Sequence, residues 1–436
     1  MSPILLLTGL LGLAYFGTML VERRSRRGFG LPSGTEFLLL GLLLGPHFMG
    51  VIGSSGLKSF GGLTVVALAW LAFIIGAHYG WVRGIRVRWR ILLLGITLAT
   101  LAALLAGGAA VLAAALTTDF GSRDLLLLGL GIGAVSAETT RHAVRWVVER
   151  YSAEGPLARL IGDASEADDA VPIAMLAIIA ALVPSDATLA LSFPGWAGLL
   201  MTIGIGGAMG ATAAALFDVE PRTTQRWGII VGTGLLAIGA SMRLGLSGIA
   251  TTFVMGIAAG SLSRQRAALE GLLNTTERAV MLPALLLAGA HVWLPDGTAF
   301  VPIVLVAVVV RLGAKLLAAR VFRRALAGVT PSRWLGLGLL PAGVLSVTAG
   351  FACALMIDGP VGEIVLAVAT SHAVLGEMVG PVSLRRALRD AGEIRGTASE
   401  TPRPLPAPVM AARRLVTRAA RLRSTDQPPG PSESES

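Results

Sequence analysis

Two adjacent aspartates stand at the head of a long apolar segment. Asp168 and Asp169 precede the uncharged run 170–183, which stops before Pro184. As a helix this run is only about 21 Å long, whereas the hydrocarbon core of a bilayer is about 30 Å thick. If the helix begins at Pro156 instead, both carboxylates lie at membrane depth, where ionisable residues mark an ion or proton path. The alternative is a helix that begins at Asp168, with the two carboxylates as caps at the water boundary.

Two further residues add oxygen chemistry to this pair. Pro172 has no N–H to donate to the carbonyl of Asp168, so we expect a free carbonyl oxygen at depth and a break in the helix. Ser165 is four residues before Asp169 and is expected on the same helix face. Carboxylate, hydroxyl and carbonyl oxygens are the ligands that hard cations prefer.

A third acidic residue, Glu138, lies in the glycine-rich segment GLGIGAVSAETTRHAV (129–144), which is a poor continuous helix. We predict a broken helix here, whose exposed half-helix ends can coordinate ions. The alternative is that Glu138 is an interfacial charge. Residues 337–350, with Pro341 and Gly343, predict a second interrupted helix in the matching place of the second half. Paired interruptions of this kind are typical of transporters built from inverted repeats.

Two basic residues follow each other by one helical turn in the segment VVVRLGAKLLAAR. Arg311 lies near the middle of its predicted span and needs an anionic partner, for which Asp168 is the natural choice. Lys315 lies nearer the end of the span. It either compensates the buried acids as well or extends its amine toward the cytoplasm.

The composition identifies a polytopic membrane protein. Hydrophobic residues make up 54% of the 436 residues and charged residues only 14%, against about 25% in a soluble domain. The net charge of +10 does not imply a nucleic-acid partner, because the arginines cluster at the ends of apolar segments. The single cysteine, Cys353, cannot form an internal disulfide. Nothing in the sequence indicates an enzyme or a cofactor.

Apolar segments separated by charged residues, Pro and Gly predict an all-α fold of about thirteen transmembrane helices. They lie near 3–20, 34–52, 60–80, 91–116, 123–143, 156–183, 194–217, 227–243, 245–262, 278–295, 298–319, 333–356 and 360–384. Arginines fill the loops after the odd-numbered spans, whereas only Lys58, Arg123 and Arg243 follow the even-numbered ones. This asymmetry predicts an external N-terminus and a cytoplasmic C-terminus in the cell (inner) membrane. The tail, 390–436, is predicted to be a largely disordered cytoplasmic basic segment.

Four segments together resemble the monovalent cation:proton antiporter superfamily, in its thirteen-span bacterial branch. LPSGTEFLLLGLLLGP (31–46) is similar to the opening of that family, and AWLAFIIGAHYG to its next motif, with His78 where an acid is common. In AVSAETT, Glu138 takes the position of an aspartate. In ASEADDAV, Asp169 matches the aspartate that carries the ion, Asp168 the residue before it and Ser165 the serine.

The resemblance covers residues 30–390 and implies exchange of Na⁺ or K⁺ for H⁺ by alternating access. It also implies a homodimer, in which a core part (90–217 and 297–389) moves against a dimerisation part (1–85 and 225–296). Members of the family carry one basic residue opposite the paired acids. A lysine with two aspartates accompanies electrogenic exchange and an arginine electroneutral exchange, and here both Arg311 and Lys315 fit.

We therefore predict a Na⁺ or K⁺:proton antiporter that binds the cation at Asp169, Asp168 and Glu138, with help from Ser165. Two alternatives stay open at this point. A sodium-coupled symporter of an organic anion can share paired broken helices, but it needs a polar, roomy pocket at the midplane. A membrane sensor or scaffold that transports nothing would act through the basic tail.

Overall fold

The structure is a computed structural model that describes residues 34–84, 89–183, 195–293, 300–325 and 332–394, with the isolated positions 8, 9 and 12. Within these ranges the chain is all-helical and contains no β-strand, as predicted. The predicted first span, 3–20, lies outside them apart from the three isolated positions. The tail beyond residue 394 also lies outside, so its predicted disorder stays a prediction.

The described residues form helices of very different lengths, separated by short turns. In chain order they are α1 (Thr35–Leu44), α2 (Ser54–Ser59), α3 (Gly61–Gly84), α4 (Trp89–Thr117), α5 (Ser122–Ala137), α6 (Arg141–Arg150), α7 (Pro156–Ala167), α8 (Ala170–Leu182), α9 (Gly195–Val219), α10 (Thr223–Arg243), α11 (Gly248–Leu262), α12 (Arg266–His291), α13 (Val301–Ala325), α14 (Leu335–Gly338), α15 (Val344–Met356) and α16 (Pro360–Asp390).

Five of the described helices are long and apolar enough to cross a bilayer. By length and composition these segments are Gly61–Gly80, Ile91–Thr117, Trp196–Val219, Val301–Val321 and Pro360–Asp390. Three shorter helices, α1, α11 and α15, are apolar as well. The protein is therefore a polytopic membrane protein, in which several spans are built from short or interrupted helices.

Each predicted span in the described ranges contains a helix or two half-helices, and the helix of the predicted span 34–52 already ends at Leu44. The largest difference is at the predicted span 278–295. Its helix, α12, begins at Arg266. The charges of its first turns suggest a loop, yet the same turns carry a buried apolar stripe. Its members are Leu269, Leu272 and Leu273, at the spacing of one helix face. This stripe extends α12 by three turns and brings Glu277 into the helix.

The buried apolar core runs along the middle of the bundle, where α5, α12, α15 and α16 meet. Glycines let some of these helices touch backbone to backbone. A Cβ at Gly76 of α3 would collide with the carbonyl of Phe253 on α11, and one at Gly256 of α11 with the carbonyl of Phe73. Gly41 of α1 and Gly289 of α12 form a second close approach of this kind. Small residues at helix contacts are the usual means of tight packing in membranes.

The segment after α16 is clamped onto the start of α7. The Glu393 carboxylate accepts hydrogen bonds from the N–H groups of Leu157 and Ala158 at 2.7 and 2.8 Å. Its main-chain carbonyl accepts a third from Glu154 at 3.0 Å. Because Pro156 has no N–H, Glu393 satisfies the first two free donors of this helix, at the end where a negative charge is favourable.

This clamp predicts a stability effect of a single residue that lies 236 positions from its partner. We expect Glu393→Ala to lower the free energy of unfolding by about 1–2 kcal/mol, because two buried N–H groups lose their acceptor. Thermal unfolding in detergent measures the change. A chain ending after Ile394 should match the full chain, whereas one ending at Gly392 should lose at least as much stability as Glu393→Ala, because it also loses the main-chain acceptor of Glu154. Equal stability of both shortened chains would contradict the role given to Glu393.

Candidate functional site: two interrupted helices and a buried acidic pair

Two spans are interrupted, and they meet at their interruptions. α5 and α6 are separated by residues 138–140, and α14 and α15 by residues 339–343. The Thr140 N–H donates to the carbonyl of Pro341 at 2.9 Å, and the Thr139 hydroxyl to the carbonyl of Leu339 at 3.3 Å. One interrupted span lies in each half of the chain, which is the arrangement expected of an inverted repeat.

Glu138 caps the half-helix that belongs to the other interrupted span. Its Oε2 atom accepts from the Ser346 N–H at 2.6 Å, the Ser346 hydroxyl at 2.7 Å and the Gly343 N–H at 3.3 Å. These donors form the first turn of α15, whose dipole favours a carboxylate. A Cβ at Gly343 would collide with Thr140 and Glu138, so only glycine permits this approach. Glu138 is buried, and it is therefore not an interfacial charge.

Arg311 binds carbonyl groups instead of the carboxylate of Asp168, so the predicted ion pair is wrong. Its guanidinium donates to the carbonyl of Ser136 in the last turn of α5 at 3.2 Å and to the carbonyl of Glu138 in the first interruption at 2.9 Å. A third bond goes to Leu340 in the second interruption, at 2.7 Å. The carbonyls at the end of a half-helix carry partial negative charge, and this replaces the anionic partner that burial demands.

Lys315 points to the acidic pair and does not extend toward the water. Its amine donates to the Ala137 carbonyl and to the Thr139 hydroxyl, both at 2.8 Å, and its side chain is buried. The N–H of Thr139 in turn donates to Oδ2 of Asp168 at 2.8 Å. Thr139 thus links the lysine to one aspartate, while Oδ1 of Asp168 has no hydrogen-bond partner.

The two aspartates form the joint between α7 and α8. Both are buried, with 5% and 4% of their surface exposed, and a helix of three turns precedes them. They are therefore not caps at a water boundary. The helix 156–183 is broken by a turn at these two residues, whereas Pro172, the predicted position of the break, lies within the first turn of α8. The predicted free carbonyl of Asp168 is wrong as well, because it accepts from the N–H of Val171 at 3.2 Å in place of the donor that Pro172 lacks.

The two carboxylates face different cavities. Asp169 lines a cavity of about 20 Å³ together with Glu138 and Thr140 from the first interruption, Arg141 from the start of α6 and Glu277 from α12. The side chain of Asp169 makes no hydrogen bond or ion pair with any described residue, unlike Glu138. A cavity of this size has room for one water molecule or one alkali cation.

Asp168 lines a second cavity of about 20 Å³, with Thr139, Ser165 and Lys315. Ser165 therefore shares a cavity with Asp168, whereas the sequence predicted that it would lie beside Asp169. Its hydroxyl donates to the carbonyl of Gly162 at 2.9 Å. In the part of the chain that the structure describes, no three or more His, Cys, Asp and Glu side chains are close enough together to hold a metal ion. Glu138, Asp168 and Asp169 thus do not form one cage.

A third, open cavity of 610 Å³ adjoins both of these small ones. It shares Arg141 with the cavity of Asp169 and Ser165 with that of Asp168. Its walls are α6, α7 and the turn between them. The charged residues of these walls are Arg141, Arg145, Glu154, Arg159, Asp163 and Glu166.

Four residues of this site were missed by sequence reasoning: Thr139, Ser346, Arg141 and Glu277. Thr139 and Ser346 stand next to predicted breaks, and their hydroxyls are the signal that could have found them. Arg141 looks like an ordinary cytoplasmic arginine after a span. Glu277 lies outside the predicted span 278–295, and only the apolar stripe at the start of α12 could have included it.

Two interrupted helices that cross at their breaks, with buried charges on the half-helix ends, define a membrane transporter of the inverted-repeat kind. The sequence matches the family model described as the sodium/hydrogen exchanger, transmembrane, over residues 12–388. The chain belongs to this family, which is one of transporters and not of enzymes. The comparison with individual curated proteins gives no match.

The fold is similar to that of a solved antiporter. The structure of the sodium proton antiporter MjNhaP1 from Methanocaldococcus jannaschii at pH 8 matches with a TM-score of 0.63 and 16% sequence identity. The match covers 91% of this chain and 100% of that one. A second structure of MjNhaP1, from electron microscopy, matches with a TM-score of 0.64 and 16% identity over 90% and 99% of the two chains. At this identity the similarity establishes the fold.

Proposed function

We propose that the protein exchanges Na⁺ or K⁺ for protons by alternating access, with Asp169 as the carboxylate that binds the cation and the proton in turn. One observation carries the proposal: Asp169 is a buried carboxylate that makes no hydrogen bond or ion pair with a described residue, in a cavity the size of one ion. Because cation and proton compete for the same oxygens, one site couples their opposite movements.

The other acidic residues have supporting roles in this proposal. Glu138 completes the cavity of Asp169 while it holds the first turn of α15. Asp168 and Ser165 line the neighbouring cavity, where Lys315 balances the charge of the unloaded site. Since Lys315 and not Arg311 lies beside the acidic pair, and a lysine with two aspartates resembles the electrogenic members of the family, we propose electrogenic exchange.

The open cavity between α6 and α7 is the proposed route from the cytoplasm in this conformation. It adjoins both small cavities, and the loops around it carry the arginines that predict a cytoplasmic side of the inner membrane. In the proposed cycle, α4–α9 and α13–α16 form the moving core. The helices α1–α3 and α10–α12 form the static part and the interface of a homodimer.

The size of the cavities argues against the symport of an organic anion. Each cavity that an aspartate of the pair lines has a volume of about 20 Å³, enough for one small ion but far below the several hundred cubic ångströms of a site for an organic molecule. Neither aspartate lines the open cavity of 610 Å³. A scaffold function would depend on the tail. A test by truncation must cut after Ile394, because a cut at 390 also removes the Glu393 clamp.

The test is proton flux in proteoliposomes that contain the purified protein. We expect an imposed Na⁺ or K⁺ gradient to drive protons in the opposite direction, as read by a trapped pH-sensitive dye, with a Li⁺ gradient as a third arm. Electrogenic exchange predicts a faster flux when the membrane potential is clamped at zero than when it is left free. Liposomes without protein are the control. No flux with any of the three cations would overturn the proposal.

A further inference from the structure

Glu277 brings a third carboxylate to the cavity of Asp169 from a helix outside the two interrupted spans. Its Oε1 atom lies 3.2 Å from Nη2 of Arg141 and 3.3 Å from Nε2 of His142. Arg141 and His142 begin α6, directly after the first interruption. The ion pair therefore joins the interrupted span to α12.

The helix that carries Glu277, α12, is fixed to α3 and α1. The indole N–H of Trp70 on α3 donates to the hydroxyl of Thr276, the residue before Glu277, at 3.2 Å. α12 also packs closely on α1 through Gly41 and Gly289. α6, in contrast, packs on α7 and α16. Glu277 thus holds Arg141 from a helix that is not one of the main packing neighbours of α6.

Arg141 needs such a partner more than most arginines do. It is buried, with 8% of its surface exposed, and a buried guanidinium without an acceptor is strongly unfavourable. It also stands at the first position of α6, where the helix dipole disfavours a positive charge. Its only side-chain bond in the described chain goes to Glu277.

The same cavity offers Arg141 another carboxylate. Glu138 and Asp169 both line it, but Glu138 is already held by the first turn of α15. Asp169 makes no hydrogen bond or ion pair with a described residue and is therefore the acceptor that Arg141 reaches if Glu277 is lost. A guanidinium on Asp169 would occupy the oxygens that the cation needs.

We propose that Glu277 is a positioning residue for transport: it holds Arg141 away from Asp169 and so keeps the carboxylate available to the cation. The inference rests on the proposed exchange at Asp169. It assigns to Glu277 and Arg141 control of the apparent cation affinity, separate from the turnover step.

The test is a double-mutant cycle with cation-dependent proton flux as the readout. We expect Glu277→Gln to raise the apparent KM for the cation by about tenfold or more, with kcat within about threefold of the wild type. With the Arg141 guanidinium on Asp169, the guanidinium and the cation are like charges a few ångströms apart in a partly buried site. Their repulsion exceeds the free energy that corresponds to a tenfold change in apparent KM. Arg141→Gln should leave KM unchanged or lower it. The double variant should return KM to the value of Arg141→Gln, because no arginine is left to compete.

Several outcomes would overturn the inference. They are a wild-type KM in Glu277→Gln, a double variant with KM as high as that of Glu277→Gln, or a raised KM in Arg141→Gln. If Glu277→Gln does not fold, the KM of Arg141→Gln decides the case. Glu270→Gln, an exposed glutamate on the same helix, is the matched control and should keep the wild-type KM. If the wild type carries no flux, the proposed function fails. If the wild type transports and only the KM pattern is absent, the role of Glu277 alone fails.

Discussion

Asp169→Asn is expected to abolish cation-driven proton flux, by at least about a hundredfold, and to leave the protein folded. The asparagine keeps the shape of the side chain but removes its charge and its ability to take up a proton. Since the Asp169 side chain makes no hydrogen bond or ion pair with a described residue, the fold loses little when it is replaced. The loss of function should therefore not be accompanied by a loss of stability.

Two measurements separate these effects. Proton flux in proteoliposomes reports transport, and thermal unfolding in detergent reports stability with and without Na⁺ or K⁺. A cation that binds the folded state raises the unfolding temperature, and this shift should disappear in Asp169→Asn. Asp358→Asn, an exposed aspartate before α16, is the control and should keep both signals. Flux at the wild-type level in Asp169→Asn would remove this residue from the mechanism.

The membrane fold could be predicted from the sequence because each span carries its own signal. Apolar length fixes a helix such as α4, and glycine and proline weaken helices locally, as in the segments around Glu138 and Pro341. These signals lie within one short stretch of chain. They give the order of the helices and the positions of the interruptions without knowledge of any contact.

The partners of the buried charges could not be predicted in the same way. Two of the three contacts of Arg311 join residues 175 and 173 positions apart, and carbonyl groups have no signature in a sequence. Charge alone suggested Asp168 as its partner, since a carboxylate is the obvious acceptor for an arginine. The structure contains a second kind of acceptor, the ends of half-helices, which exists only once the two interrupted spans have crossed.

The helix of Glu277 shows a different limit. The charged residues at the start of α12 lower the mean hydropathy of this segment, so that it resembles a loop, although one face of the helix is apolar. Periodicity would have extended the helix to Glu277, yet not to Arg141, which lies 136 residues earlier. The pairing of Glu277 with Arg141 could therefore be found only from the structure.

The second large effect is expected at Arg311, whose replacement should unfold the crossing of the two interrupted spans. Arg311→Gln leaves three carbonyl groups without their charged donor, at Ser136, Glu138 and Leu340. Hydrogen bonds to a charged group contribute about 1.5–3 kcal/mol each, and a buried set is not fully additive. We expect a loss of on the order of 3–5 kcal/mol in the free energy of unfolding, together with the loss of cation-driven flux.

Arg311→Lys distinguishes a need for positive charge from a need for three directed donors. A lysine keeps the charge, but its single amine cannot reproduce the planar fork that reaches both interruptions. Stability should therefore fall in the order wild type, Arg311→Lys, Arg311→Gln, as measured by thermal unfolding in detergent. Arg320→Gln, an exposed arginine on the same helix, should behave as the wild type. If Arg311→Gln kept the wild-type unfolding temperature and flux, the half-helix ends would not depend on this guanidinium. The cavity of Asp169 would then be held together by Glu138 and the first turn of α15 alone.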